Sequence, residues 1–231
     1  EFCRAAIAGL RNEGIFTPPS LGGTLLYPGF AGGMNWGGVA WHPDEQLVVT
    51  TVKRMAMWVR LHEREEFGAD RRSGAEGVQF TGQRGTPYGM SRAPLLSPNG
   101  VPCSPPPWGT LVAVDLSDGS IRWEIPLGTT RDLAPRPFIF NWGVPNVGGS
   151  IVTAGGLIFI AATTDQFLRA FDIETGEELW KHRLPAGGQA RPMTFVSEEN
   201  GKQYVVIAAG GHGNMRTKLG DTVIAFSLPD S

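Results

Sequence analysis

Short runs of alternating apolar and polar residues, separated by glycine-rich turns, recur along most of this chain. Period-two alternation bounded by Gly, Pro, Asn or Asp is the mark of half-buried β-strands. GTLLYPG, GGMNWGGVAWHP and EQLVVTTV supply the first group and are expected to form one sheet unit. SIVTAGGLIFIAATTDQFLRAFD supplies further strands, RPMTFVSEENGKQYVVIAAGG reads as a hairpin with a polar turn at Glu199–Lys202, and DTVIAFSL gives a last strand. Helical spacing is confined to residues 1–16, where Phe2, Ala5, Ala6, Ala8 and Leu10 share a face before Gly14 and Thr17-Pro18-Pro19 stop it. Residues 54–107 break the pattern. RLHEREEFGADRRSG suggests a short exposed helix or a loop, and GTPYGMSRAPLLSPNGVPCSPPPWG is too proline-rich for regular pairing, so an irregular insert is expected there.

One stretch is spelled twice. LVAVDLSDGSIRWEIPL, from Leu111, and LRAFDIETGEELWKHRL, from Leu168, share L-x-A-x-D-x-x-x-G-x-x-x-W-x-x-x-L position for position. The copies begin 57 residues apart, and self-similarity at a fixed spacing of this order is the signature of a repeat architecture. Each copy is a strand, a tight Asp/Gly turn and a second strand ending in Trp, which is the hairpin expected of a propeller blade. Asp115 and Asp172 recur at the turn and are read as turn formers, Trp123 and Trp180 as apolar anchors docking between neighbouring blades. The predicted fold is all-β: a partial β-propeller of roughly four blades, read as a single domain over residues 1–231 with a short N-terminal helix. Closed propellers have about four to eight blades, and a half ring would leave strand edges for something else to cover.

Composition narrows the class. Gly (32) and Pro (18) are abundant, but a 41% apolar share with seven Trp and twelve Phe excludes a disordered chain and suits many short strands joined by tight turns. A net charge of −2 with scattered signs leaves no footprint for nucleic acid. No apolar run approaches the ~18 residues of a membrane span. The sequence opens on Glu1 rather than Met, so a fragment is expected, soluble in itself, with any export signal or anchor upstream. Cys3 and Cys103 pair or stay as separate thiols; sequence alone leaves both open, and no spacing suits a Cys/His zinc site.

Candidate chemistry lies in the turns. His212 sits among Gly210, Gly211 and Gly213, where the backbone is free to approach a ligand closely or simply to close a turn. Asp165 ends the strand FIAATTD, as an Asx-turn or as a polar contact. Asn35-Trp36, flanked by glycines, offers an amide and an indole to a planar ligand, or packs in a core. No nucleophile elbow or phosphate loop is present.

FTPPS…GTLLYPG…NWGG, then TAGGLIFIAATTDQFLRA, then LPAGGQARPMTF…GKQYVVIAAGGHG…TKLGD together resemble the C-terminal part of the membrane-bound, PQQ-dependent glucose/quinate dehydrogenases. The resemblance runs from Phe2 to Asp230 and is weakest over 54–80. It implies half of an eight-bladed quinoprotein propeller carrying pyrroloquinoline quinone (PQQ), with a divalent cation (Ca²⁺ or Mg²⁺) polarising the quinone and a carboxylate base. The expected activity is oxidation of a sugar or polyol such as glucose or quinate, with electrons passed to a quinone, in the periplasm and anchored to the inner membrane. His212, Asp165, Gly211, Asn35 and Trp36 are the expected cofactor-binding residues; the catalytic base and the metal ligands are expected upstream of this chain. Two departures stand out: Thr51 where the family often has Asn after NWGG, and Val147 where related soluble alcohol dehydrogenases have Trp. The other readings are a non-catalytic propeller scaffold and, lower, an ester or lactone hydrolase using His212. A half ring further implies that the missing N-terminal half, or a second copy, completes the propeller.

Overall fold

In the computed structural model, which describes residues 1–73, 77–135 and 137–229, nearly all regular structure is antiparallel strand. In chain order the elements are α1 (Phe2–Ala8), β1 (Thr24–Leu26), β2 (Val39–His42), β3 (Leu47–Lys53), β4 (Met57–Glu63), α2 (Phe67–Ser73), β5 (Gln79–Gly82) and β6 (Tyr88–Pro94). Then follow β7 (Gly109–Asp115), β8 (Ile121–Pro126), β9 (Ile151–Val152), β10 (Leu157–Ile160), β11 (Phe167–Asp172), β12 (Glu178–Arg183), β13 (Met193–Val196), β14 (Gln203–Ala209) and β15 (Thr222–Phe226). These make four antiparallel sheets, in keeping with the roughly four blades read from the sequence. The chain divides into two compact units: residues 1–33 with 54–105, and residues 34–53 with 106–231.

The first unit holds the sheet β1-β4-β6-β5. It corrects two expectations. β1 pairs with β4 (Thr24↔Val59 to Leu26↔Met57) rather than joining β2 and β3, and the region expected to be irregular carries three strands. The strand β6 was hidden because its buried positions are filled by Gly89, Ser91 and Ala93, which carry little hydrophobic signal. Gly89 is small for a reason: a Cβ there would lie 2.1 Å from the Phe67 ring, which packs against Phe80 and His62. Helix α1 ends at Ala8, earlier than its apolar spacing suggested, because Gly9 caps it and Arg11 is drawn into a bridge with Thr24. Ala6, Ile7 and Leu10 pack on Leu25, Ala56 and Leu95. Cys3 and Cys103 form a disulfide, which settles the pairing left open above.

The second unit stacks sheets β2-β3-β7-β8, β9-β10-β11-β12 and β13-β14-β15. Burial grades across each: β10 and β11 are largely buried, whereas every residue of β12 is exposed. Leu47, Val49, Leu111, Leu127, Ile158, Ile160, Phe171 and Ile173 form the core between the first two sheets. Leu168, Leu184, Ala186, Ile207 and Ala209 form that between the second and third. Each buried Leu or Ile stabilises the stack by about 1.5–3 kcal/mol.

The two sequence repeats become β7–β8 and β11–β12, the third and fourth strands of adjacent sheets. They share even their irregularity, a register shift after Ala113 in one and after Ala170 in the other. Asp115 accepts hydrogen bonds from the Ser117 N–H and hydroxyl, and Asp172 from the Glu174 and Thr175 N–H groups, so both close turns as expected. The Trp123 indole N–H donates to the Ile173 carbonyl at 2.9 Å, and its ring lies over Gly176 (φ +73°), where a Cβ would approach to 2.9 Å. That is the docking tryptophan. Trp180, its counterpart, meets Phe226 edge-on at 5.3 Å.

Candidate functional site

All five cofactor-site candidates fall in the second unit, on segments leading into or out of its sheets. Asn35 and Trp36 form the turn before β2. The Asn35 side-chain oxygen accepts the Trp36 backbone N–H at 2.7 Å, the Asn35 carbonyl accepts from Gly38, and the Trp36 ring is left 63% exposed. The following Gly37 lies against the backbone of Gly148 and Gly149, so close that a Cβ on Gly37 would sit 1.9 Å from the Gly148 carbonyl oxygen. Only glycine permits that approach.

Gly148 lies in turn against the backbone of Gln189, whose side chain joins two further segments. Gln189 Nε2 donates to the Thr163 carbonyl at 3.2 Å, and its Oε1 accepts from the Thr217 hydroxyl at 3.0 Å. Thr217 Oγ1 also accepts the backbone N–H of His212 at 2.8 Å. Gly211, at φ +72°, donates its N–H to the Gly187 carbonyl. A Cβ there would lie 2.2 Å from the Lys218 carbonyl oxygen. His212 is half-buried, and its Nδ1 is shut from solvent with no protein partner. Asn35, Trp36, Gly211 and His212 thus lie along one continuous line of contacts. Sequence reasoning missed Gln189 and Thr217, which hold that line; the available signal was Gln189 in AGGQA, a polar residue beside glycines as His212 is.

Asp165 is placed differently. It is fully buried, and both oxygens are occupied by protein donors. Oδ1 accepts from the Thr163 hydroxyl at 2.6 Å and from Arg169, while Oδ2 accepts from Arg169 and from the N–H and hydroxyl of Thr129. Arg169, 2% exposed, also reaches Glu178 through Nε at 3.0 Å. Burial alone would raise the Asp165 pKa, but the Arg169 hydrogen bonds and charge, with Thr163 and Thr129, hold it below the ordinary value. Asp165 fixes Thr163, and through the Thr163 carbonyl it orients Gln189.

Five buried side-chain atoms among the described residues have no partner: His42 Nε2, Lys53 Nζ, Asn146 Oδ1, Thr164 Oγ1 and His212 Nδ1. Native interiors leave few such groups, and each calls for an explanation. His42 belongs to the β2–β3 turn, where its Nδ1 accepts from Glu45. The other four lie at the opposite ends of the strands. Asn146 bridges to Thr163, next to Thr164 and Asp165. Lys53, 3% exposed, has its pKa pushed down to about 8 by burial. No group of three or more His, Cys, Asp or Glu among the described residues is placed to hold a metal ion. The arrangement offers a lysine ammonium and a threonine hydroxyl as donors, an amide oxygen as acceptor and an exposed indole, which suits binding of a polar, planar, anionic molecule.

Residues 1–205 match the family described as glucose/ethanol/alcohol dehydrogenase, β-propeller domain (PQQ). The chain is 45% identical to the quinoprotein glucose dehydrogenase of Escherichia coli (strain K12) and 44% identical to a probable quinate dehydrogenase (quinone) of Xanthomonas campestris pv. juglandis. Each alignment covers 99% of this chain and 30% of the relative. A glycerol dehydrogenase large subunit of Gluconobacter oxydans is 40% identical over 99% of the chain and 33% of its own length. Among solved structures, a europium-containing methanol dehydrogenase superposes with a TM-score of 0.54 at 26% identity, over 82% of this chain and 27% of that one. The chain therefore spans about a third or less of the length of the relatives it matches.

Proposed function

Because the chain belongs to the PQQ-type glucose/ethanol/alcohol dehydrogenase β-propeller family, we propose that it forms the C-terminal part of one propeller in a PQQ-dependent dehydrogenase. The whole enzyme would oxidise a sugar or polyol such as glucose or quinate and pass the electrons to a quinone. The observation that carries this reading is the set of unpartnered buried atoms at Lys53, Asn146, Thr164 and His212, lying beside the line that joins Trp36 to Gly211. PQQ is a flat o-quinone rimmed by carboxylates and carbonyls, and these residues fit it: Lys53 Nζ and the Thr164 hydroxyl are donors for its rim, and Trp36 offers an indole for its face. When bound, PQQ supplies the two-electron acceptor for alcohol oxidation.

The chain's own residues then have definite tasks. His212 would offer Nδ1 to the bound cofactor while Thr217 fixes its backbone. Asn35 holds the turn that presents Trp36, and Gly211 keeps the His212 segment in a conformation that a side chain would strain. Asp165 acts as a positioning residue through Thr163, because its oxygens are engaged by Arg169, Thr163 and Thr129. No step that removes a proton from substrate is assigned to it. In this reading a Ca²⁺ or Mg²⁺ ion polarising the quinone, and the catalytic base, would draw on residues of the rest of the enzyme; among the described residues no three His, Cys, Asp or Glu side chains are grouped to hold a metal ion. A periplasmic location is supported by the Cys3–Cys103 disulfide, which needs an oxidising compartment. No helix among the described residues is long and apolar enough to cross a membrane.

The test uses the complete apoenzyme. PQQ with Ca²⁺ or Mg²⁺ should quench its tryptophan fluorescence saturably and enable dye reduction with glucose, quinate or glycerol. Absence of saturable quenching would favour a non-catalytic scaffold and overturn the proposal.

A further inference from the structure

Lys53 is the least expected of the unpartnered groups. It closes β3, whose seven residues are otherwise apolar or Thr, and it keeps an ammonium at 3% exposure with no hydrogen-bond acceptor. A lysine has three donors and is almost never buried unless something pairs with it. Its cross-strand partner is Gly109, and directly opposed residues project to the same face of a sheet. On that face, a Cβ at Gly109 would fall 2.3 Å from Asn146 Nδ2 and 2.2 Å from the Val144 carbonyl oxygen. The missing side chain of Gly109 therefore leaves room for the Asn146 amide on the face to which Lys53 also projects. Asn146 is itself fully buried with its Oδ1 unpaired, and it bridges to Thr163 beside Thr164, whose hydroxyl is also unpaired. A donor-only cation, an unpaired amide oxygen and an unpaired hydroxyl are thus carried by the ends of neighbouring strands of this unit. Thr51, two residues before Lys53 on the same face, is also buried, so no longer polar side chain competes for that space from β3.

We propose that Lys53 is a cofactor-binding residue, its ammonium pairing with a carboxylate of the bound tricarboxylic quinone. The proposal rests on the functional reading above and deepens it, naming an anionic subsite at the end of β3. An ammonium–carboxylate hydrogen bond out of solvent is worth more than a neutral one. Removing it should weaken binding by about ten- to a hundredfold.

The experiment is a PQQ titration of the complete apoenzyme followed by tryptophan fluorescence, comparing the unmodified protein with Lys53→Met and Lys53→Gln. Circular dichroism and thermal unfolding establish that each variant is folded. The expected result is a Kd raised about ten- to a hundredfold in Lys53→Met, a raised Kd in Lys53→Gln, and a shallower dependence of Kd on salt in both. PQQ methylated at its carboxylates should lose affinity for the unmodified protein and lose little more for Lys53→Met. Folded variants that bind PQQ and its ester as the unmodified protein does, with the same salt slope, would overturn the Lys53 assignment and leave the dehydrogenase reading intact. Failure of the unmodified protein to bind PQQ at all would overturn both.

Discussion

Asp165 and Lys53 are both buried charges, and they show how the same burial leads to opposite consequences. Asp165 meets Arg169, Thr163 and Thr129, so its charged form is held and its pKa lies below the ordinary 3.8. The unfolded chain then binds the proton more readily, so this carboxylate stabilises the fold above the ordinary pKa and ceases to as pH falls through the lowered one. Asp165→Asn should cost about 3–5 kcal/mol by leaving Arg169 buried without its full partner, read as a lower denaturant midpoint of the complete protein at neutral pH. Lys53 meets no partner, and burial lowers its pKa from 10.5 to about 8. Between those values the unfolded chain again binds more protons, so stability of the apoprotein should rise as pH goes from 8 to 10.5. Lys53→Met should remove that rise and stabilise the apoprotein at pH 7 by about 2 kcal/mol after allowance for screening. The same substitution should weaken PQQ binding. Sequence pattern found Asp165 from its place at a strand end but not its occupied oxygens. It missed Lys53, because a lysine ending a strand looks like any solvated terminus until the packing around it is known.

At the scale of elements, legibility tracked hydrophobic contrast. The repeat at Leu111 and Leu168 predicted two hairpins, their turn aspartates and a docking tryptophan, and the structure places all of them at matching positions of adjacent sheets. Trp123→Phe keeps an aromatic ring but removes the pyrrole ring and strips the Ile173 carbonyl of its donor, so a loss of at least about 1–2 kcal/mol is expected. Gly176→Ala should cost at least as much, since it adds a Cβ 2.9 Å from the indole at a backbone φ of +73°. Urea unfolding of the two variants checks both values; a stable Gly176→Ala protein would mean that the Trp123 ring is free to move away. β5 and β6 were not legible for the reverse reason. Gly89, Ser91 and Ala93 fill the buried positions of β6, and proline-rich flanks suggested a loop. Pairing with β4 from Met57↔Pro94 to Glu63↔Tyr88 is a tertiary choice that local propensity does not encode.

For the molecule as a whole, the decisive quantity is coverage: the chain matches about 30% of relatives such as the Escherichia coli glucose dehydrogenase. The residues themselves point the same way. Among the described residues no three His, Cys, Asp or Glu side chains are grouped to hold a metal ion, and Asp165 is engaged by Arg169 and two threonines. A catalytic base needs a free carboxylate or imidazole within hydrogen-bond reach of the substrate hydroxyl, and His212 is assigned to the cofactor in this reading. The 231-residue chain alone, supplied with PQQ and Ca²⁺ or Mg²⁺, should therefore bind cofactor weakly at most and reduce no dye with glucose or quinate. A second copy could cover open sheet edges, yet it would bring the same residues and no new base, so a dimer should be equally inactive. Co-expression with the remaining part of the enzyme should restore substrate-dependent dye reduction. Measuring mass in solution alongside dye reduction separates the cases: turnover by the chain alone, as monomer or dimer, would mean that the base lies among these residues after all and that His212 must be reconsidered as that group.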